Sequence, residues 1–455
     1  MTFDEWKKKQ LESGPRKYTH FDPKIQLKSY LSYICNPSKI KQHAFFPLIH
    51  FTKESRRIRA GHRAEPKLRQ IYYASHIDSW IYRYYAYLYN ELYNIELKNL
   101  GLGDVAVAYR TDLGKSNIDF AYSAFSTLRD FPSCYVIIGD FTNFFDSLEH
   151  KYLKLRLCKL LQVDQLPSDH YAVYKSVTNF HYWELNNLLA YYHLSNNRRD
   201  LKQFNAKDRA LTPEEFRTYR SCILKNQTPG VGVPQGTPIS ATYANIYMLE
   251  ADKSLNALVK NLGGIYMRYS DDFIIILPTD SESEFTRYYA SINDIIASTP
   301  GLELQGKKTK LFYFSDRNVR NITKEFVPES TDGKNIIDFL GFSFDGCSVK
   351  IREKTTFKYY TRMYRKAKTI VRNNGLSPKG KKISCKNLYS KYSYKGSLYY
   401  KQKVARQKNL TLSSEERRGN FLDYVARAKS KFAGEPIDCS TRNHMHKIRR
   451  HLEPK

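Results

Sequence analysis

Residues 266–277 read YMRYSDDFIIIL, so two adjacent aspartates, Asp271 and Asp272, lie between two runs typical of β-strands. The run after them is β-branched and apolar, a composition found in buried strands. The pattern predicts a strand, a tight turn and a second strand, with both carboxylates at the reversal. Paired negative charge beside a buried strand is costly unless a cation compensates it. The fold must therefore bring a positive partner to this turn.

A second strand-like run, SCYVIIGDF at residues 133–141, also carries a carboxylate near its end, Asp140. If the two strands pair in one antiparallel sheet, we expect Asp140 to approach Asp271 and Asp272. Like charges this close repel unless cations lie between them. Two Mg²⁺ ions about 3.5–4 Å apart, clamping the attacking and leaving oxygens of a phosphoryl transfer, fit this arrangement. The alternative is an acidic β-turn in an exposed hairpin, and the apolar runs beside the acids favour burial instead.

Between these strands, residues 230–248 read GVGVPQGTPISATYANIYM. Gly232, Gly236 and two prolines predict a rigid turn whose backbone can approach a ligand closely. Gln235 lies on this turn and offers both a donor and an acceptor. A helix is predicted to begin at Ser240. The alternative is a simple loop-to-helix junction.

Hydrophobic periodicity predicts the other elements near these motifs. Apolar residues at helical spacing from Ile77 to Leu92 predict an amphipathic helix. The runs TKLFYFSD and NIIDFLGFSFDG predict strands, and GNFLDYVARAKSKFAG predicts a helix. In ALTPEEFRTYRSCIL, a Thr followed by Pro and Glu predicts a capped helix start.

The charge of the chain is strongly asymmetric. The formal net charge is +29, and +21 of it lies in the last 111 residues, from Asp345 onward. The same region interleaves Tyr with Lys and Arg, as in TTFKYYTRMYRKAK and YSKYSYKGSLYYKQK. Cations hold phosphates and aromatic rings stack on bases, so a nucleic-acid partner is predicted. The alternatives are a solvated basic surface and ordinary core packing of the tyrosines.

The cysteines and the hydropathy pattern exclude several classes of protein. The seven cysteines lie far apart, with no CxxC pair and no histidine at zinc-finger spacing, so neither a zinc site nor a disulfide framework is predicted. The first residues, MTFDEWKKKQ, have no apolar signal region. No uncharged apolar stretch reaches about 18 residues. We expect a cytoplasmic location and no membrane partner.

Seven blocks, in order from about residue 56 to 346, together resemble the reverse transcriptase family. KLRQIYYASHIDSWIYRYYAYL and VAYRTDLGKSNIDFAYSAF resemble the two fingers blocks. DFTNFFDSLEH resembles motif A, GVPQGTPISATYAN motif B, YMRYSDDF motif C and GLELQGKKTKL motif D. DFLGFSF resembles the primer-grip hairpin. The order of the blocks is more specific than any one of them.

The resemblance implies a role for each matching residue. Asp140 and Asp271 would bind the metal ions directly, and Asp272 would support them. Phe145 would be the steric gate, a ring that clashes with the 2′-hydroxyl of a ribonucleotide. The other residues expected to contact the dNTP or its pyrophosphate are Lys67, Arg69, Phe141, Gln235 and Lys308. The residues expected to contact nucleic acid are Arg110, Lys115, Tyr269, Phe339, Gly341 and Phe342.

Alternatives stay open for some of these positions. A solvated surface role competes for Arg110 and Lys115, and core packing competes for Phe339 and Phe342. For the pyrophosphate contact, Lys307 stands beside Lys308.

The expected fold class is α+β, a right-hand polymerase with fingers and a palm built on an antiparallel sheet with helices. We expect an N-terminal extension over 1–50 and fingers and palm over 51–345, with an insertion at about 160–225. A helical, basic thumb that binds RNA is expected over 346–455. CSTRNHMHKIRRHL lacks the acid and glycine context of a nuclease, and no VTG-type block is present. The chain is therefore most similar to the stand-alone bacterial "unknown group" of reverse transcriptases, relatives of group II intron and retron enzymes, many of them defence-associated.

The resemblance implies RNA-directed synthesis of cDNA from dNTPs, with two Mg²⁺ ions or Mn²⁺ as a substitute. It also implies an RNA template, a structured noncoding RNA in the defence-associated group, and a role in antiviral defence against phage. Two other functions stay open. One is an RNA-binding scaffold or maturase with a vestigial palm, and the other is a template-independent terminal nucleotidyltransferase. Incorporation of labelled dNTP, and the sequence of its product, separate the three.

Overall fold

The computed structural model describes residues 1–59, 62–110, 112–225, 228–330, 333–376, 380, 385–412 and 418–453. Its helices are α1 Phe3–Ser13, α2 Leu27–Ile34, α3 Pro37–Ile40, α4 His76–Asn99, α5 Asn117–Asp130, α6 His150–Leu161, α7 Ser168–Thr178, α8 Leu185–Tyr191, α9 Arg198–Phe204, α10 Pro213–Thr218, α11 Ser240–Tyr247, α12 Leu249–Lys260, α13 Glu282–Ala297, α14 Thr323–Phe326, α15 Glu353–Arg372, α16 Lys386–Tyr392, α17 Leu398–Gln407, α18 Phe421–Lys431 and α19 His444–Arg450. Its strands are β1 Leu48–Arg59, β2 His62–Tyr73, β3 Ser133–Asp140, β4 His181–Glu184, β5 Leu224–Lys225, β6 Ile265–Tyr269, β7 Asp272–Leu277, β8 Lys310–Ser315, β9 Asn318–Asn321, β10 Ile337–Phe339, β11 Phe342–Phe344 and β12 Val349–Ile351. The α+β fold class is confirmed.

A five-stranded antiparallel sheet in the order β6-β7-β3-β8-β9 forms the centre of the molecule. Strands β3 and β7 are buried on both faces because their side chains alternate between two apolar clusters. Ile137 and Ile275 point into one cluster, and Val136 and Ile274 point into the other. The β-branched runs that predicted these strands are therefore core residues on both sides. This sheet positions the three acidic residues.

A second sheet has the strand order β2-β1-β4-β5. β1 and β2 form a long antiparallel hairpin, and Lys67 and Arg69 lie on β2 opposite Ser55 and Lys53. β4, from the predicted insertion, pairs in parallel with β1 through Leu48–Tyr182. The predicted insertion thus adds strands to the hairpin of β1 and β2 as well as helices.

The N-terminal extension packs on α4. Ser75 caps α4 by accepting a bond from the Asp78 backbone N–H at 3.1 Å. Trp6 and Ile34 are buried with the inner face of α4 in the largest apolar cluster. The helix predicted from Ile77 is confirmed over His76–Asn99.

A small sheet, β10-β11-β12, leads into the basic C-terminal region. β12 lies beyond the boundary expected at residue 345, and it pairs with β11. Within the C-terminal region, α15, α16 and α19 share a cluster of their own around Met363, Leu388 and Ile448. The helix predicted from GNFLDYVARAKSKFAG is confirmed over Phe421–Lys431. In the part of the chain that the structure describes, no helix combines the length and the apolar character that a bilayer crossing requires.

Candidate active site

The register of β3 and β7 brings acidic residues from two distant segments together. Asp140 is the Cα partner of Asp272, and both lie at the same edge of the central sheet. Asp271 lies in the turn between β6 and β7, next to Ser270, whose φ is +64°. The strand, turn and strand predicted from YMRYSDDFIIIL are therefore confirmed, as is the pairing of the two acid-bearing strands.

Burial, and after it the negative charges of Asp271 and Asp140, together raise the pKa of Asp272 to about 6, against the lowering effect of Lys308 and Arg352. Asp272 keeps an exposed edge, so the packed protein around it withdraws only part of its water. The three carboxylates are close enough to repel one another.

Cations from two other segments face these acids. Lys308 Nζ lies 2.8 Å from Asp140 Oδ1. Burial lowers the pKa of Lys67, and the nearby positive charges of Lys308 and Arg69 lower it further, while Asp140 and Asp271 raise it. Strand β2 and the segment before β8 therefore both bring positive charge to the acidic edge.

The acidic residues are suitable ligands for a hard divalent cation, because carboxylate oxygens are the ligands that Mg²⁺ prefers. In the described residues, however, no group of three or more His, Cys, Asp or Glu side chains is placed so that it could hold a metal ion. One oxygen of Asp140 is engaged by Lys308 instead. The chemistry of Asp140, Asp271 and Asp272 thus fits a divalent metal, while their side chains are not arranged as a closed metal site.

A buried ion pair that the sequence analysis missed supports the acidic turn. Arg268 and Asp252 are both fully buried and form a bidentate pair with N–O distances of 2.8 and 2.6 Å. Arg268 Nη1 also donates to the backbone oxygen of Ser270 at 3.0 Å. Tyr266 donates its hydroxyl to Asp252 at 2.8 Å. An arginine inside an apolar strand is the one sequence signal that could have pointed to this pair.

A loop before α5 also contacts the turn. The hydroxyls of Tyr109 and Ser270 are 3.1 Å apart. Both residues have a positive φ, 63° and 64°, which is uncommon for residues other than glycine. Such strained positions persist where the surrounding structure fixes them, and Arg268 and Tyr109 fix this turn from two sides.

The glycine-rich turn connects Phe145, the position expected to be the gate, to the hairpin of β1 and β2. Val233 N–H donates to the Phe145 oxygen at 2.8 Å, and Tyr72 N–H, on β2, donates to the Gln235 oxygen at 2.9 Å. At Gly236, φ is +120° and a Cβ would lie 2.4 Å from the Tyr72 oxygen. The backbone of this turn therefore makes a close approach to β2, while the predicted approach to a ligand stays a prediction.

Residues 194–344 match the family model described as reverse transcriptase (RNA-dependent DNA polymerase). The chain contains a reverse transcriptase domain. The matched range includes Gln235, the turn with Asp271 and Asp272, and Lys308. Asp140 and the hairpin of β1 and β2 lie outside the matched range. No curated protein matches the chain.

Three telomerase structures, from two Candida species, are among the solved structures that match. Telomerase from Candida albicans in complex with a TWJ fragment of telomeric RNA is 15% identical, with 93% of this chain and 65% of that chain covered and a TM-score of 0.36. The Candida tropicalis telomerase with the same kind of fragment is 12% identical, with 93% of this chain and 64% of that chain covered and a TM-score of 0.38. The truncated apo telomerase from Candida tropicalis is 12% identical, with 72% of this chain and 61% of that chain covered and a TM-score of 0.37. This chain spans less than two thirds of the length of these three telomerases. Similarity at this level supports no inference about activity or partners.

Three rings that were expected to contact a nucleotide or a nucleic acid are buried. Phe141 packs between Phe144 and Phe273, at centroid distances of 5.5 and 5.4 Å, and is 2% exposed. Phe339 and Phe342 are buried in the cluster beneath β10 and β11. This burial favours the core-packing alternative for Phe339 and Phe342, and the expected contacts of the three rings with a nucleotide or a nucleic acid stay predictions.

Arg110 was expected to contact nucleic acid, but its side chain is buried and engaged within its own loop. It donates to the Gly103 oxygen at 2.6 Å and forms an ion pair with Asp112 at 2.7 Å. Lys115 is half exposed and lies 3.6 Å from the exposed Asp104. Only Lys115 of these two cations has an accessible charge.

The remaining predicted positions border the acidic turn or the small hairpin. Tyr269 is partly buried, 6.4 Å from the Phe120 ring, just before the acidic turn. Gly341 has a φ of +91° and follows Leu340, φ +46°, in the two-residue turn between β10 and β11. Asn117 of α5 donates to the Leu340 oxygen at 2.9 Å. The tip of this hairpin is therefore held from α5.

Proposed function

We propose that the chain is an RNA-directed DNA polymerase, which extends a DNA 3′ end, or a protein or RNA hydroxyl, with dNTPs. One observation carries the proposal. The acids of two strands that lie far apart in the sequence meet at one sheet edge, with Asp140 opposite Asp272 and Asp271 in the adjoining turn. The reverse transcriptase domain supports the same reaction class.

Two divalent cations, Mg²⁺ or Mn²⁺ in its place, would supply charge stabilisation for the attacking and leaving oxygens. Asp140 and Asp271 would hold them, and Asp272 would add negative charge. The chain itself would bind the triphosphate through Lys67 and Arg69, which project from the same strand at alternate positions. Arg offers a planar fork of donors and Lys a point charge, and the two suit different phosphate oxygens.

Lys308 would neutralise charge that develops on the departing pyrophosphate. Its ammonium already reaches the carboxylate edge at 2.8 Å from Asp140. Lys307, the neighbouring candidate, is exposed. Positioning and charge stabilisation of this kind account for most of the catalysis in phosphoryl transfer.

The test is incorporation of labelled dNTP on a primed RNA template. Asp140→Asn and Asp271→Asn are expected to abolish it, whereas Asp280→Asn, an exposed aspartate on the loop after β7, is expected to leave it unchanged. Full incorporation by either site variant contradicts the proposal. Products with the same sequence on two different templates would indicate a terminal transferase. Absence of any incorporation by wild-type protein would indicate an RNA-binding scaffold or maturase.

Phe145 would be the gate that rejects ribonucleotides. Its ring is partly exposed and meets Phe144 edge-on at 5.4 Å, and its backbone oxygen is held by Val233. Phe145→Ala is expected to raise the ratio of rNTP to dNTP incorporation at least tenfold, since the clash with the 2′-hydroxyl is removed. Phe145→Tyr keeps the ring and is expected to keep the preference. An unchanged ratio in the Ala variant removes the assigned role.

The C-terminal region would hold the template and product. Along α15, residues such as Met363 and Ala367 are buried, while Lys358, Arg362 and Arg365 are exposed on the other side. A protein that engages six or more phosphates loses affinity steeply as salt rises. A flat salt dependence of RNA binding would contradict this assignment.

We further propose that the chain acts as a stand-alone bacterial enzyme in the cytoplasm, copying a structured noncoding RNA in defence against phage. The support is the resemblance of the seven sequence blocks and the lack of a nuclease cluster. Sequencing of nucleic acid that co-purifies with the protein tests the template, and phage plating on cells with wild-type or Asp271→Asn protein tests the defence role. Equal plating on both contradicts it.

A further inference from the structure

A groove of about 800 Å³ lies on the outer side of α7, away from the residues assigned to catalysis. The inner side of α7 is fixed in the core, where Val173 and Val177 are fully buried. The outer side presents Ser168, Tyr171, Lys175 and Asn179 in one stripe of the groove wall. From Ser168 to Asn179, the residue that follows α7, these positions are 11 steps apart, or about 16 Å at the helical rise. The groove is therefore elongated along α7 and has the volume of a ligand-binding cleft.

The opposite wall of the groove is rigid. The two ring nitrogens of His43 each lie 2.8 Å from a partner, Nδ1 from the Tyr33 hydroxyl and Nε2 from the Asp78 carboxylate, so the orientation of the ring is fixed. Next to it, Phe45 stacks on Tyr82 at 5.7 Å with an interplanar angle of 8°. A wall that is fixed before a ligand arrives costs less ordering entropy on binding.

The lining of the groove is positively charged. Lys41 comes from the N-terminal extension, Lys154 from α6 and Lys175 from α7, and no aspartate or glutamate lines the groove. In the ranges described, none of the three lysines forms an ion pair. Because three chain segments deliver uncompensated charge to one cleft, the cleft concentrates anions.

An aromatic ring accompanies these charges. Tyr171 is 43% exposed, and Lys154 Nζ lies 5.2 Å from its ring centroid. Exposed rings beside backbone-binding cations are the components of single-strand binding surfaces, where bases stack and phosphates pair. Ser168, Gln165 and Asn179 add hydroxyl and amide groups at the rim.

We propose that this groove binds the phosphodiester backbone of a single-stranded nucleic acid, separately from the catalytic cleft. Lys41, Lys154 and Lys175 contact phosphates, and Tyr171 stacks on a base. None of these residues belongs to the assigned catalytic or dNTP-binding set. β4 begins at His181, which also lines the groove, and β4 pairs with β1 of the fingers hairpin. A strand in the groove would therefore lie against the same sheet that carries Lys67 and Arg69.

The first test is binding of a short fluorescein-labelled single-stranded RNA, measured by anisotropy over a range of salt without dNTP or divalent metal. The triple variant Lys41→Ala, Lys154→Ala and Lys175→Ala is expected to lower the slope of log K against log salt by about 2, since each phosphate contact on a single strand contributes about 0.7. The triple variant with Arg at the same positions is expected to keep the wild-type slope. The matched control is Lys28→Ala, Lys202→Ala and Lys253→Ala, three exposed lysines elsewhere, and thermal melting verifies that all variants are folded.

The basic C-terminal region also binds RNA in our proposal, so a second measurement locates the contact. RNA that carries 4-thiouridine is cross-linked and the adducts are mapped by mass spectrometry. We expect adducts on the peptide with Tyr171, lost in the Ala triple variant, while adducts on residues 346–455 persist. An unchanged slope together with no adduct at Tyr171 overturns the proposal.

Three ligands separate the sources of the phosphate chemistry. Single-stranded RNA, single-stranded DNA of the same sequence and a free dNTP compete for the Tyr171 adduct. Competition by either polymer supports the groove and identifies the strand it takes. Competition by the dNTP alone overturns it in favour of a mononucleotide site. None of these measurements requires polymerisation. Refutation of the groove would therefore leave the proposed polymerase activity untouched, and refutation of the polymerase activity would leave the groove untouched.

Discussion

Variants of the buried pair of Arg268 and Asp252 should show whether the pair stabilises the fold, positions the acidic turn, or does both. Arg268 makes two bonds to Asp252 and one to the Ser270 oxygen, all at 3.0 Å or less, with no exposed surface on either partner. The perturbation is a double-mutant cycle of Arg268→Met and Asp252→Leu. Met is close in volume to the Arg that it replaces, and neither Met nor Leu carries a charge. Leu is larger than the Asp that it replaces, and the cost of this overpacking is common to both proteins with Asp252→Leu, so it cancels in the cycle.

Each single variant leaves one buried charge without its partner, which costs about 3–5 kcal/mol. The double variant leaves neither charge, so it should be more stable than the sum of the two losses predicts, by about 2–3 kcal/mol. Tyr266 loses its acceptor in both proteins that carry Asp252→Leu, and this contribution cancels in the cycle. Activity should behave differently, because the Ser270 oxygen has lost the Arg268 donor in the double variant too.

Urea unfolding gives the free energies, and single-nucleotide extension gives kcat. The control cycle is Arg320→Met with Glu325→Leu, an exposed pair at 3.2 Å, for which the coupling should stay below about 1 kcal/mol. Additive losses at Arg268 and Asp252 would refute the electrostatic argument. Recovery of kcat along with stability would refute the positioning argument and leave Arg268 a purely structural residue.

Gly236→Ala places a Cβ 2.4 Å from the Tyr72 oxygen at a φ of +120°, so we expect a raised KM for dNTP as β2 is displaced. Gly230→Ala, with a φ of +85° and open space around it, is the control for backbone strain alone, and equal effects in both would exclude the clash. Burial lowers the pKa of His20 to about 3, so the unfolded chain takes up the proton first and stability present above pH 6.5 is lost on acidification. At pH 5 this loss is about 2 kcal/mol, because one pKa unit is worth about 1.4 kcal/mol. In urea unfolding between pH 7.5 and 5, His20→Gln should not show this loss of stability. If the free energy of unfolding falls with acidification as steeply in this variant as in the wild type, His20 does not cause the loss.

The strands that carry the acids were predictable because their signal is local. Ile274–Ile276 and Val136–Ile138 are β-branched runs of strand length, and a carboxylate follows one run and precedes the other. Their antiparallel pairing needed only the assumption that both acids serve one site. The burial of Phe141, Phe339 and Phe342 was not predictable from a motif, since a ring beside a functional residue fits the core and a ligand surface equally well.

Contacts between distant segments were beyond the reach of the sequence. Nothing in the local pattern indicates that β4 adds in parallel to β1, where Tyr182 pairs with Leu48, 134 residues earlier in the chain. Arg110 looked like a surface cation because its partners, the Gly103 oxygen and Asp112, depend on the course of its own loop. Long-range pairings of this kind are decided by packing rather than by propensity.

The glycine-rich turn shows why residues with different roles occur in one short motif. Its Val233 N–H is bonded to the Phe145 oxygen, and its Gln235 oxygen is bonded to Tyr72 on the strand of Lys67. Phe145, Gln235 and the strand of Lys67, to which we assign the gate, the nucleotide contact and triphosphate binding, are therefore joined by backbone hydrogen bonds, which do not depend on side-chain rotamers. A substitution that shifts this backbone moves all three together. Loss of dNTP affinity and loss of sugar discrimination should consequently arise in the same variants of this turn, whereas changes to the Gln235 side chain alone should affect affinity and leave discrimination by Phe145 intact.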